Sequence, residues 1–164
     1  YGAIGIDDEG WVRTLLGRPE RRRVAEELMF TGVHILAPEA FAALPESGCI
    51  IRTSYRQWVD QGAPVLGIVD EAPWADLGTI AEYHRLNLEL ASGSFAWPGV
   101  TPEHGSILAC ATEDRERFRH CVVGDDVRLE EGVTLARCVV WAGTRVRRSA
   151  SNAVLTPAHR LEIS

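Results

Sequence analysis

The sequence has no lysine: all 17 of its basic residues are arginine. Every cationic role therefore falls to a guanidinium, which forks onto phosphate oxygens but cannot serve as a Schiff-base or general-base amine. Positive charge is also in deficit, with 23 acidic residues and a net charge of −6, which argues against a nucleic-acid or membrane-surface partner. No apolar run approaches the roughly 20 residues that span a bilayer, and no signal-peptide pattern is visible. The four cysteines, Cys49, Cys110, Cys121 and Cys138, lack C-x-x-C spacing, and His120 beside Cys121 has no further ligands near it. A zinc site and a disulfide framework are both disfavoured, and reduced thiols in a cytoplasmic protein are expected. Methionine occurs once, at Met29, and the chain opens on Tyr1 in what reads as a strand. We expect it to be the C-terminal piece of a longer protein.

What is present is enough apolar material, 46% of 164 residues, for a packed core. Apolar runs over 2–6 and 11–16 flank Asp7-Asp8-Glu9-Gly10, a hairpin signal. The charged segment 18–27, with Arg21-Arg22-Arg23, reads as a solvated loop in preference to a phosphate clamp. Leu28 to Leu36 reads as a strongly apolar strand, with Gly32 marking a close approach by ligand or backbone. A short helix over 38–44, a second over 54–61 stopped by Gly62, and a buried strand over 64–69 follow. Trp74-Ala75-Asp76-Leu77-Gly78-Thr79 then sets a carboxylate in a tight turn before a helix. Thr79 and Glu82 fit a capping box, Ile80, Tyr83, Leu86 and Leu90 keep helical spacing, and Gly93 ends the run. Alternating strands and helices imply an α/β domain with a mixed sheet.

The tail changes period. VGDDVR (123–128), LEEGVT (129–134), LARCVV (135–140) and WAGTRV (141–146) are four consecutive six-residue units, each opening on a large apolar residue. This is a hexapeptide β-helix pattern, in which Val123, Leu129, Leu135 and Trp141 are expected to point inward. Such a tail is too short to bury its own ends, so packing on a neighbour or on another copy, a homo-oligomer, is expected.

The Trp74–Thr79 motif resembles the Trp-x-Asp-Ile/Leu-Gly-Thr signature of the sugar-1-phosphate nucleotidyltransferases. Four more segments resemble that family in the same order: Tyr1-Gly2-Ala3-Ile4; Leu16-Gly17-Arg18-Pro19; Phe30-Thr31-Gly32-Val33-His34-Ile35-Leu36; and Pro38-Glu39-Ala40-Phe41. The tail is similar to that of the mannose-1-phosphate guanylyltransferase-like branch. The resemblance implies the C-terminal half of a Rossmann-like nucleotidyltransferase mixed sheet over 1–93, a linker over 94–105, and a short left-handed parallel β-helix over 106–164.

It also implies a reaction, formation of a nucleotide sugar of the GDP-mannose type and pyrophosphate from an NTP such as GTP and a sugar 1-phosphate. In-line attack on an α-phosphate needs charge neutralised and substrates aligned, which suits Mg²⁺ held by one or two carboxylates. On the resemblance Asp76 is the metal ligand and Arg18 the phosphate contact, these two being the catalytic candidates. Tyr1, Gly2, Phe30, Thr31 and Gly32 line the sugar. The NTP-binding loop and a second carboxylate are expected in an N-terminal half, so the chain alone is expected to be inactive. Two departures stand out. Gly17 replaces a sugar-binding Glu, for which Glu20 is a substitute on a shifted alignment, and Phe30 stands where several members have Asn. They leave open a non-catalytic regulatory or assembly subunit that binds nucleotide sugar. A hexapeptide acyltransferase is disfavoured because the repeats hold no histidine.

Overall fold

In a computed structural model, which describes residues 2–19, 22–109 and 115–164, the Asp7-Asp8-Glu9-Gly10 turn joins β1 (Ala3–Ile6) to antiparallel β2 (Val12–Leu15). Asp7 holds the turn from within: its carboxylate accepts the Glu9 and Trp11 N–H groups at 3.0 and 2.9 Å and the Arg13 Nε–H at 2.6 Å. Lost solvation pushes the Asp7 carboxyl up, but the Arg13 guanidinium and these N–H groups outweigh it and hold the group below its ordinary range. β3 (Glu26–Met29) pairs antiparallel on the other side of β1, giving the order β2-β1-β3. The chain divides into two compact units, Tyr1–Ala72 and Pro73–Ser164.

The first unit corrects two expected strands. The ladder of β3 ends at Met29, so the strand expected over 28–36 starts earlier and stops sooner. Beyond it Val33 and Ile35 are 76% and 90% exposed. Over 64–69 the pairing shrinks to a single bridge between Leu66 and Trp11, and Leu66, Ile68 and Val69 are exposed. Both segments have strand-like sequences, yet a strand exists only where a neighbour takes its N–H and C=O groups. Residues 31–36 have no ladder partner among the described residues of this unit, and 64–69 has only a short stretch beside Gly10–Val12, where the Val12 N–H donates to the Val65 carbonyl at 2.8 Å and the Gly67 N–H to the Gly10 carbonyl at 2.9 Å. The helices fare better. A wide helical turn over Ile51–Tyr55 runs into α1 (Arg56–Gln61), which stops at left-handed Gly62 (φ 73°). Val59 of α1 packs with Ile6 and Val12 in the unit's small core.

In the second unit Thr79 caps α2 (Ile80–Ser92): its hydroxyl oxygen accepts the Glu82 N–H at 3.1 Å. The reciprocal half of the box differs from expectation, because the Glu82 carboxylate accepts from the Thr79 hydroxyl itself at 2.8 Å. α2 buries His84, Leu86 and Ala91 and packs on the strands of the tail, so it belongs to the same compact unit as they do.

Those strands are β4 (Ile107–Leu108), β5 (Phe118–Arg119), β6 (Val122–Val123), β7 (Arg128–Leu129), β8 (Leu135–Val140), β9 (Arg145–Val146) and β10 (Ala150–Leu155). They stack in parallel ladders: Ile107 beside Val122 and Val122 beside Val139, Phe118 beside Leu135 and Leu135 beside Ala150, Arg128 beside Arg145. The chain therefore returns over itself every 15 or 17 residues. β11 (Arg160–Glu162) runs antiparallel along β10 and covers that edge. The interior holds Val123, Leu135, Cys138, Val140, Val146 and Leu155. Cys121 and Cys138 stack inside it as free thiols, and the Cys121 thiol hydrogen-bonded beside Cys138, together with burial, pushes the Cys138 thiol up.

The expectation for Trp141 is overturned. Val123 and Leu135 point inward and Leu129 is half-buried, but Trp141 is 52% exposed. Val123 pairs with Val140, 17 residues on, where three hexapeptides would give 18. The phase slips by one residue, Val140 takes the interior position, and the indole turns outward to donate its N–H to the Tyr83 hydroxyl at 3.2 Å.

Candidate functional site

Five of the residues singled out by sequence come together at one end of the β2-β1-β3 sheet. The register sets this: Ile4 pairs with Leu15 and Ala3 with Met29. Gly2, just before β1, is thus flanked by the Leu16-Gly17-Arg18 turn leaving β2 and by Phe30-Thr31-Gly32 leaving β3. Antiparallel neighbours on both sides of β1 bring three distant sequence segments to the same edge. Tyr1 lies outside the described residues, as do Glu20, Arg21 and Cys110.

Each side chain there has a distinct setting. Arg18 is exposed on a tight turn in which the Leu15 N–H donates to the Arg18 carbonyl at 2.7 Å and the Arg18 N–H returns to Leu15 at 3.1 Å. Among the described residues no ion pair or side-chain hydrogen bond engages its guanidinium. Gly17, at φ 70°, adopts a conformation that disfavours any side chain, and the space beside it is open. Gly2 has a different reason to lack one: a Cβ there would meet the Leu16 side chain at 1.8 Å. Thr31 and Gly32 are exposed.

Phe30 opens a file of rings that the sequence reading missed. Its centroid lies 5.9 Å from His34, His34 stacks on Tyr55 at 5.6 Å with 7° between planes, and Tyr55 meets the Trp58 edge at 5.1 Å. The available signal was the one-turn spacing of Tyr55 and Trp58 on a helix. Burial pushes the Tyr55 phenol up. The file gives Phe30 an apolar packing role where Asn would offer a polar contact. Arg22 and Arg23 line a separate cleft of about 360 Å³ with Asp7, Asp8 and Arg13, and Arg22 donates to the Asp60 carbonyl at 3.3 Å. Two carboxylates stand among the three guanidiniums of that cleft, Asp7 paired with Arg13, which makes it a poorer phosphate clamp than a purely basic cleft would be.

Asp76 belongs to the second unit. It sits half-buried in the turn before Thr79, and a Cβ built on Gly78 would lie 3.4 Å from Asp76 Oδ2 and 3.6 Å from Glu82 Oε2. A Cβ at 78 would thus sit in ordinary van der Waals contact with both carboxylates. Glu82 is engaged by Thr79, whereas no hydrogen bond or ion pair among the described residues occupies Asp76. A hard carboxylate with no protein partner among the described residues fits Mg²⁺, which takes few protein oxygens and completes its shell with water and phosphate. No group of three or more His, Cys, Asp or Glu able to hold a metal occurs among the described residues, so Asp76 would be one ligand and not a whole site.

Among the described residues no helix is long and apolar enough to cross a membrane. No protein-family model matches the chain. It is similar to the UTP–glucose-1-phosphate uridylyltransferase of Synechocystis sp., at 24% identity over 146 residues, which is 82% of this chain and 37% of that protein. The chain thus spans a little over a third of the length of the curated relative it matches. The comparison supports a distant relationship to the sugar-1-phosphate nucleotidyltransferases at the level of the broad family.

Proposed function

We propose that this chain is part of a sugar-1-phosphate nucleotidyltransferase and carries the sugar-phosphate side of its site. The observation that carries the reading is the meeting of Gly2, Arg18, Phe30, Thr31 and Gly32 at one sheet end. The similarity to a uridylyltransferase supports the same chemistry. Arg18 binds the sugar phosphate, its guanidinium supplying two parallel N–H donors to two phosphate oxygens. Thr31 and the Gly32 backbone orient the sugar so that a phosphate oxygen faces the α-phosphate of the NTP. Asp76 would supply one carboxylate ligand to Mg²⁺, an ion that, when bound, would contribute charge neutralisation on phosphate oxygens.

An N-terminal half of the same protein supplies the NTP-binding loop and the second carboxylate, so residues 1–164 alone are inactive. The tail is a short left-handed parallel β-helix that assembles the enzyme as a homo-oligomer. GTP and mannose 1-phosphate are the first substrate pair, on the resemblance of the tail. UTP and glucose 1-phosphate, named in the relative, are the second.

One observation favours a non-catalytic relative. The φ of 70° builds glycine into position 17, so the sugar-binding Glu is lost to the turn itself. The test is pyrophosphate release by the intact protein with Mg²⁺, over GTP and UTP crossed with mannose and glucose 1-phosphates. Turnover of one pair is the expected result. Tight binding of a nucleotide sugar without turnover of any pair would establish the regulatory reading, and neither binding nor turnover would end both.

A further inference from the structure

The corners of the coil in the second unit are built on a repeated left-handed residue. Gly105, His120, Arg137 and Asn152 all have positive φ, at 74°, 53°, 53° and 47°. They lie above one another: a Cβ on Gly105 would meet the His120 ring at 2.8 Å, and Arg137 Nε donates to Asn152 Oδ1 at 2.7 Å. The ladder between β8 and β10 skips Arg137 and Asn152, joining Ala136 to Ser151 and Cys138 to Ala153. A left-handed residue turns its peptide out of the ladder, which leaves a carbonyl in need of a donor from outside. At Asn152 that donor is the backbone N–H of Ile163, at 2.8 Å. At Arg137 it is a side chain, His84 Nε2, also at 2.8 Å. A carbonyl only accepts, so Nε2 carries the proton.

His84 is 4% exposed and stands on the second turn of α2. Its neighbour Tyr83 makes the other polar contact with the coil, through Trp141. Five residues earlier, about 7.5 Å along the helix axis, Thr79 and Glu82 lock the turn that carries Asp76. A helix is stiff over that length, so a contact on its second turn sets where its first turn sits. We propose that His84 is a positioning residue: it fastens α2 to the coil through the Arg137 carbonyl and thereby holds the Asp76 turn in place. The inference rests on the reading of Asp76 as a metal ligand only for its consequence. The mechanical link concerns residues of one compact unit.

The experiment uses the intact protein with three variants. His84→Leu removes the donor, His84→Gln keeps an N–H at nearly the reach of Nε2, and Asp76→Asn tests the metal reading separately. Two quantities are measured: amide hydrogen exchange over 74–84, and affinity for Mn²⁺ alone by electron paramagnetic resonance. His84→Leu is expected to speed exchange about tenfold, the loss of one buried hydrogen bond of roughly 1.4 kcal/mol, and to weaken Mn²⁺ binding. His84→Gln restores both. Should His84→Leu not fold, His84→Asn, whose amide falls short of the carbonyl, replaces it. Unchanged exchange over 74–84 in the donor-free variant overturns the proposal. So does faster exchange that His84→Gln fails to restore, since that marks a packing role. If Asp76→Asn binds Mn²⁺ as the parent does, the metal reading fails while the exchange data still decide the role of His84.

Discussion

In the second unit Val123, Leu135, Cys138, Val140, Val146 and Leu155 share one interior, together with further residues of the coil. In the first unit only Ile6, Val12 and Val59 form such a cluster, while Val33, Ile35 and Ile68, equally apolar, face outward. The difference lies in where a strand finds its neighbour. In the coil the partner arrives 15 or 17 residues later along the same chain, so each turn covers the one before. In the first unit the segment 31–36 has no ladder partner among the described residues, and 65–69 has only the bridge of Leu66 to Trp11 and its two flanking hydrogen bonds. A unit of about 70 residues with so small a cluster holds little stability of its own.

The sharpest test of this contrast is a pair of truncations in residues 1–164. Leu135→Ala, at a position 1% exposed, is expected to cost about 2–5 kcal/mol in denaturant unfolding monitored on the second unit. Ile35→Ala, at 90% exposed, is expected to stay within about 0.5 kcal/mol. If the N-terminal half proposed above pairs with this segment, Ile35→Ala becomes costly in the full-length protein. A large cost at Ile35 already in residues 1–164 would break the comparison.

Each unit carries one proposed site residue that can be tested by itself. Asp76→Asn in the second unit keeps the shape of the turn and removes a charge from the metal shell. It should lower kcat of the intact enzyme about 100-fold or more, with the fold unchanged by circular dichroism. Near-parental turnover at saturating Mg²⁺ would reduce Asp76 to a turn residue. Arg18→Ala in the first unit should act on KM for the sugar phosphate, by roughly 1.5–3 kcal/mol, and leave KM for the NTP nearly unchanged. Equal effects on both substrates would assign the phosphate to another arginine.

The smallest effect concerns acid. The folded-state pKa of Asp7 is depressed, so its contribution to the β1–β2 hairpin is present above the ordinary Asp value of about 3.9. It is lost as pH falls through the lower folded value. Amide exchange in β1 and β2 should accelerate in that window while exchange in β8 does not, because the β8 interior is apolar. Equal acceleration in both would show that acid acts on the whole chain and not on this turn.

Local signals carried far into the fold. The Asp7–Gly10 turn, the Thr79 cap and the Gly62 and Gly93 stops follow from residues that act within a few positions of one another. Turn chemistry and capping depend on the chain's own backbone, so no distant partner is needed to read them. The candidate site is named in the sequence one segment at a time, as Gly2, Arg18 and Phe30–Gly32. That they share an edge required the register of β1 with β2 and β3.

What only the tertiary structure decided depends on partners far along the chain. Trp141 belongs by hexapeptide count to the interior, and a coil one residue short of three repeats sends it outward to Tyr83. His84 reads in the sequence as one more residue on an amphipathic helix face. Its role comes from the Arg137 carbonyl, 53 residues away, which the left-handed corner turns out of the ladder. Val33 and Ile35 carry every mark of a buried strand, but burial is a property of a surface and its cover, and the sequence of one strand cannot supply its neighbour.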